Sequence, residues 1–179
     1  MLRHVRSGDA RGRSVSALPV RVLVSACLLG QPVRYDGQSK GIVSDWLNEL
    51  GAEGRTHSFC PEVAGGLPTP RPPAERQGER VVTASGLDVT DEFDRGADLA
   101  LALCLAQGIR FALLKEGSPS CGSRCIYNGR FEGVSVAGEG KTTALLRHNG
   151  IAVFSEEQLP ELALALASAI AKESDSTPN

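Results

Sequence analysis

Three cysteines, Cys27, Cys60 and Cys121, each stand just beyond a run that reads as a β-strand: residues 20–26, 55–59 and 110–115. In an open parallel α/β sheet, ligands bind in the crevice at the carboxyl ends of the strands. Three thiols delivered there from three separate strands would converge. Convergent thiolates suit an iron–sulfur cluster or a soft metal. Three protein ligands rather than four leave one metal position open, and an open position is where chemistry occurs.

Other reactive side chains cluster near these cysteines. Glu62 follows Cys60 by two residues and is a candidate general acid/base. Ser118 and Ser120 flank Pro119 beside Cys121, placed to hydrogen-bond a substrate or hold a water. Arg34, Lys40 and Arg71 are candidates for an anionic substrate group. Each has a plainer reading. Cysteine is among the most buried residue types, and Cys104, inside the apolar stretch 99–106, reads as core. Cys125 reads as a bystander, because CxxxC is no distinctive metal spacing. Serine beside proline is ordinary turn chemistry.

The elements that must position these groups follow from periodicity. Residues 20–26 (VRVLVSA) form a short apolar, β-branched run and predict a buried strand. Residues 42–50 carry apolar side chains at helical spacing and end at Gly51. Residues 61–78 hold so many prolines and glycines that they are expected to be a long loop, and a loop of that length is usually functional. Thr90 reads as an N-cap, with Asp91 and Glu92 in the first turn of a helix ending at Gly108. A third strand at 110–115, a second loop at 116–140, a helix at 141–149, a strand at 151–154 and a final helix at 156–172 complete the pattern. Strands alternating with helices predict a single Rossmann-like α/β domain, residues 19–173. Its mostly parallel sheet of about four strands carries helices on both faces. Residues 1–18 are expected to be a disordered basic extension and 174–179 a frayed tail.

Composition narrows the function. The chain has 179 residues, 41% of them hydrophobic, and a net charge of −2. That balance gives no electrostatic footprint for a nucleic-acid polymer or a membrane surface. Aromatic residues make up 4%, which argues against a base-stacking platform. Five cysteines without a secretory signal favour a reducing, cytoplasmic setting over a disulfide scaffold. No G-x-G-x-x-G follows the first strand, and no Walker lysine motif occurs.

The motifs VSACLLG…VRYDG…K, CPEVAGGLPTPR, GLDVT and LLKEGSPSCGS…IYNGRF, in this order between residues 20 and 155, resemble the bacterial thiouracil desulfidase family. The resemblance implies a compact Rossmann-like domain and an oxygen-sensitive [4Fe–4S] cluster held by Cys27, Cys60 and Cys121. It implies catalytic roles for Glu62 and Ser118. The implied substrate is a small thiolated pyrimidine, base or nucleotide, converted to its oxo form with release of sulfide and no net electron transfer. A monomer or weak homo-oligomer is expected. The chain departs from the pattern at Gly117, where the family often has Asn, and at Asn128, where it often has Asp. Two other readings compete. One is a structural or sensory metal protein, disfavoured because structural zinc normally takes four ligands in short paired spacings. The other is a metal-free cysteine or nucleoside-processing enzyme, whose thiol would want a histidine; none of His4, His57 and His148 lies in the loop motifs.

Overall fold

The computed structural model describes residues 20–175. In order, the elements are β1 (Val22–Ser25), α1 (Asp45–Ala52), β2 (Thr56–Phe59), α2 (Pro61–Ala64), β3 (Ala74–Gln77), β4 (Arg80–Thr83), α3 (Thr90–Gln107), β5 (Phe111–Leu114), β6 (Cys125–Tyr127), β7 (Ser135–Ala137), α4 (Lys141–His148), β8 (Ala152–Ser155) and α5 (Leu159–Asp175). A 3-10 turn, Ala26–Leu29, follows β1 directly, and another, Glu156–Gln158, leads into α5.

Four strands form one parallel sheet in the order β2-β1-β5-β8. Alternation of side chains divides its core in two. Val22, Val24 and Leu113 pack with Leu47 and Leu50 of α1 and Leu162 and Leu166 of α5. Leu23, Ala112, Leu114 and Val153 point the other way, onto Ala100 and Cys104 of α3 and Leu146 of α4. Helices therefore cover both faces, as a buried parallel sheet requires. The chain leaves β1 toward β2 on one side and returns to β5 on the other. The β1/β5 boundary is thus the topological switch point, where a crevice opens beyond the strand ends.

The two long loops expected from proline and glycine content are only partly irregular. Residues 61–78 contain α2, which takes Pro61 at its first position, and β3, which pairs antiparallel with β4. Residues 116–140 contain a second antiparallel hairpin, β6–β7. These strands (AERQ, RVVT, CIY, SVA) mix polar with apolar residues and give no continuous apolar run of the kind that marks the sheet strands. Other boundaries moved as well. Helix α1 begins at Asp45 because Ser44 caps it, accepting the Leu47 N–H, and Val43 is left 99% exposed. Thr90 does not cap α3; its hydroxyl oxygen instead accepts the Val81 N–H, and Asp88 accepts the Thr90 N–H. Gly108 does end α3, in the left-handed conformation that glycine favours. The proposed basic extension, residues 1–18, lies outside the described residues, as does most of the proposed tail; α5 runs to Asp175.

Candidate active site

The three strand-end segments meet around one cavity of about 690 Å³. Cys27 lies in the 3-10 turn after β1, and Cys60 at the junction of β2 and α2. Cys121 sits seven residues past β5 rather than at its end. It is folded back to the switch point, where its sulfur accepts the Ser25 hydroxyl at 3.7 Å. Ser25 in turn accepts the Lys115 N–H at 3.0 Å, so β1 and the segment after β5 are stitched together beneath the thiol.

Two close backbone approaches set these positions. A Cβ on Gly96 would lie 2.1 Å from the Pro61 carbonyl oxygen, and one on Gly65 would lie 2.0 Å from that of Glu92. Glycine at both places lets α2 lie directly on α3, which fixes Cys60 and Glu62. On the other side, a Cβ on Gly140 would lie 2.3 Å from the Ser120 carbonyl. The start of α4 therefore presses against the Cys121 loop, and the Lys141 and Thr142 N–H groups bond to the Pro119 and Ser120 carbonyls at 2.9 Å.

Glu62 is held at both oxygens. Arg71, nearly buried, donates to Oε2 from Nε and Nη2 at 2.7 Å. The rest of that guanidinium is spent on the Pro68 and Val33 carbonyls and the Thr69 hydroxyl. Oε1 accepts the Ser118 hydroxyl at 3.2 Å. Ser118 Oγ itself accepts the Ser120 and Cys121 N–H groups at 3.0 and 3.1 Å. Those two donors occupy its lone pairs, so its own proton is directed at Glu62.

The thiols sense one another. Burial, then the neighbouring Cys60, pushes Cys27 up to about 11, against the opposing pull of Lys115 and Arg34. Burial also raises Cys60. Cys121 is raised furthest, by burial and then by Glu62 and Cys60. Bare, these are protonated thiols; thiolates would need a cationic centre among them. Among the described residues, no group of three or more His, Cys, Asp or Glu side chains is gathered for a single metal ion. A polynuclear cluster is different, because each thiolate binds its own iron. Three sulfur donors lining one roomy cavity with no histidine in its wall fit such a cluster and no ordinary zinc site.

The model of the 2-thiouracil desulfurase family matches residues 22–158. The chain belongs to the 2-thiouracil desulfurase family. It is 41% identical over 151 residues to an uncharacterised protein of Bacillus subtilis (strain 168), YbbK, covering 79% of this chain and 99% of that one. A solved structure described as a [4Fe–4S]-dependent thiouracil desulfidase, TudS, superposes with a TM-score of 0.82 at 84% identity. It covers 83% of this chain and 98% of its own.

In this desulfurase-family chain, the remaining site candidates divide. Arg34 and Lys40 line the cavity. The Arg34 guanidinium already pairs with Asp36 through Nε and Nη2, whereas the Lys40 ammonium has no partner among the described residues. Arg71, read from sequence as a substrate ligand, also lines the cavity, with its guanidinium on Glu62. Ser120, read the same way, is fully buried with its hydroxyl on Thr142, away from the cavity. His57 lies on β2 and His148 at the end of α4, and neither lines the cavity.

Several wall residues escaped sequence reasoning. Both tyrosines and two of the five phenylalanines, Tyr35, Tyr127, Phe59 and Phe131, line the cavity. A low aromatic content therefore concealed a concentrated placement. Glu116, buried behind the Cys121 loop, accepts N–H groups from Ser123, Arg124 and Cys125 and the Ser123 hydroxyl. Burial opposes its charge, but these donors outweigh it and hold its pKa at about 2. The departures from the family pattern are benign in place. Gly117 has φ +80°, a conformation shared by glycine and asparagine. Asn128 Oδ1 accepts the Arg130 N–H in a turn that Asp would also make, while its amide donates to Glu132.

Proposed function

We propose that this protein removes sulfur from a thiolated pyrimidine by hydrolysis, C=S plus water giving C=O plus hydrogen sulfide, with no net change in oxidation state. It is a [4Fe–4S]-dependent desulfidase of the thiouracil type, consistent with its family and with the description of the solved relative. The observation that carries the finer reading is the lining of one cavity by Cys27 and Cys60 from two strand ends and Cys121 from the loop after β5, together with the Glu62–Ser118 pair.

Cys27, Cys60 and Cys121 would hold the cluster, which when bound would supply Lewis-acid polarisation of the thiocarbonyl. The protein does the rest. Arg71 locks Oε2 of Glu62, so Oε1 is the atom left to take a proton from the attacking water. Ser118 fixes the direction of Oε1 through a hydroxyl that the Ser120 and Cys121 N–H groups hold in place. Because Ser118 is anchored on the Cys121 N–H, the base and one thiol share a rigid mount. Lys40 and Arg34 stand at the cavity wall for an anionic group of the substrate. No observation favours phosphorolysis or a bare cysteine nucleophile.

The test is Glu62→Gln. With iron and sulfide content unchanged, turnover of 2-thiouracil is expected to fall by about 10²-fold or more, the usual contribution of a general base. Wild-type turnover in a fully loaded variant would remove Glu62 from the reaction.

A further inference from the structure

The cavity has a second wall that owes nothing to the parallel sheet. It is built by the β3–β4 hairpin and the turn 128–133, and its central charged residue is Glu75. Glu75 is only 7% exposed and lines the cavity. Its Oε2 accepts the Phe131 N–H at 3.0 Å. Oε1 has no partner among the described residues. The single fully sealed, unpartnered side-chain polar atom among them is Arg21 Nε, so Oε1 of Glu75 is open to the cavity.

Phe131, the residue Glu75 anchors, is the one non-glycine with a positive φ, +59°, among the described residues. That conformation is costly for a bulky side chain and persists only where its surroundings over-determine it. Here they do. Gln77 Nε2 donates to the Gly129 carbonyl at 2.6 Å, and Arg76 Nη1 to the Glu139 carbonyl at 2.7 Å, tying the turn and the link from β7 to α4 to β3. The result is a turn whose backbone is tied down, with Phe131 in the cavity wall beside a nearly buried carboxylate that has one oxygen without a donor.

We infer that Glu75 is a specificity-determining residue: its free oxygen accepts a hydrogen bond from an N–H or O–H donor of the substrate, while Phe131 presents the surface on which the substrate ring lies. This rests on the desulfidase reading. A nearly buried carboxylate is costly until each oxygen has a donor, so a ligand that brings one is favoured over a ligand that does not. A pyrimidine ring offers N–H donors and a nucleoside adds ribose hydroxyls; both share this chemistry.

The test uses the oxo products as probes, since they bind without turning over. Affinities of cluster-loaded protein are measured by calorimetry for uracil, 1,3-dimethyluracil, uridine and 2′,3′-dideoxyuridine. Wild type is expected to prefer the donor-bearing member of at least one pair by roughly tenfold or more. The uracil pair reports a ring N–H and the uridine pair a ribose hydroxyl. Glu75→Gln keeps an acceptor for Phe131 but places an NH₂ or a weaker acceptor at the cavity, and should erase that preference with iron content unchanged. Phe131→Leu should weaken all probes alike and keep the preference. It also serves as the second arm should Glu75→Gln fold poorly. Discrimination undiminished in Glu75→Gln, or lost in Phe131→Leu, overturns the inference while wild-type turnover of 2-thiouracil leaves the desulfidase reading standing. Failure of every probe to bind a wild type that also fails to turn over overturns both.

Discussion

Two regions meet at this cavity, and they are built by different physics. The carboxyl end of the parallel sheet is backed by apolar layers on both faces, from Leu47 and Leu162 on one side to Cys104 and Leu146 on the other. It carries the thiols and, through α2 lying on α3, Glu62. The opposite wall, the β3–β4 hairpin with the turn 128–133, has a small apolar cluster around Val81, Val89 and Phe93. It is tied across by polar side chains reaching backbone: Glu75 to Phe131, Gln77 to Gly129, Arg76 to Glu139. Hydrophobic burial fixes the region proposed to hold the cluster. Directional hydrogen bonds shape the region proposed to recognise a substrate.

The contrast is breakable by paired substitutions. Leu113→Ala removes a fully buried side chain from the sheet core and should cost about 2–5 kcal/mol, visible as a large drop in the midpoint of global unfolding. Gln77→Ala should cost only about 1 kcal/mol, the net worth of one hydrogen bond, and show as faster amide exchange in 128–133 with little change in the global midpoint. Equal global effects would mean that the two walls fold as one cooperative unit.

A smaller effect sharpens the boundary between them. Glu116 organises the segment from Cys121 to Cys125, where the sheet end passes into the β6–β7 hairpin. Its folded pKa, about 2, lies below its ordinary 4.5. A depressed carboxylate stabilises the fold fully above its unfolded pKa, and that stabilisation is lost as pH falls from about 4.5 toward 2. Apoprotein melting between pH 5 and 2 should therefore fall more steeply for wild type than for Glu116→Gln. Parallel acid limbs would show that the donors around Glu116 do not favour its charge.

The same division explains what was legible in the sequence. Residues 20–26, 110–115 and 151–154 announced strands because each holds a short apolar run, and 20–26 announced a buried one. Gly108 announced the end of α3 because only a left-handed residue closes a helix that way. Cys27 and Cys60 could be placed at strand ends from this pattern alone. The hairpins could not: their strands (AERQ, RVVT, CIY, SVA) mix polar with apolar residues and form no continuous apolar run, and the hairpin is tied in place by individual pairs such as Gln77 with the Gly129 carbonyl. Arg71 and Ser120 show a related limit. Residue type marks them as ligand-binding, but only geometry reveals that one already holds Glu62 and the other is sealed against Thr142. Glu75 carried no motif that set it apart from its neighbours; its burial and its single unpartnered oxygen emerge only in three dimensions.

The central claim is that Cys27, Cys60 and Cys121 together hold the cluster on which desulfuration depends. The most direct measurement is anaerobic reconstitution of wild type and Cys27→Ser, with iron, acid-labile sulfide and turnover of 2-thiouracil determined on the same samples. The account predicts about four irons and four sulfides per wild-type chain, release of sulfide in step with formation of uracil, and loss of both cluster and turnover in Cys27→Ser. An iron-free wild type that still converts the substrate, or a Cys27→Ser variant with full cluster and full activity, would contradict it.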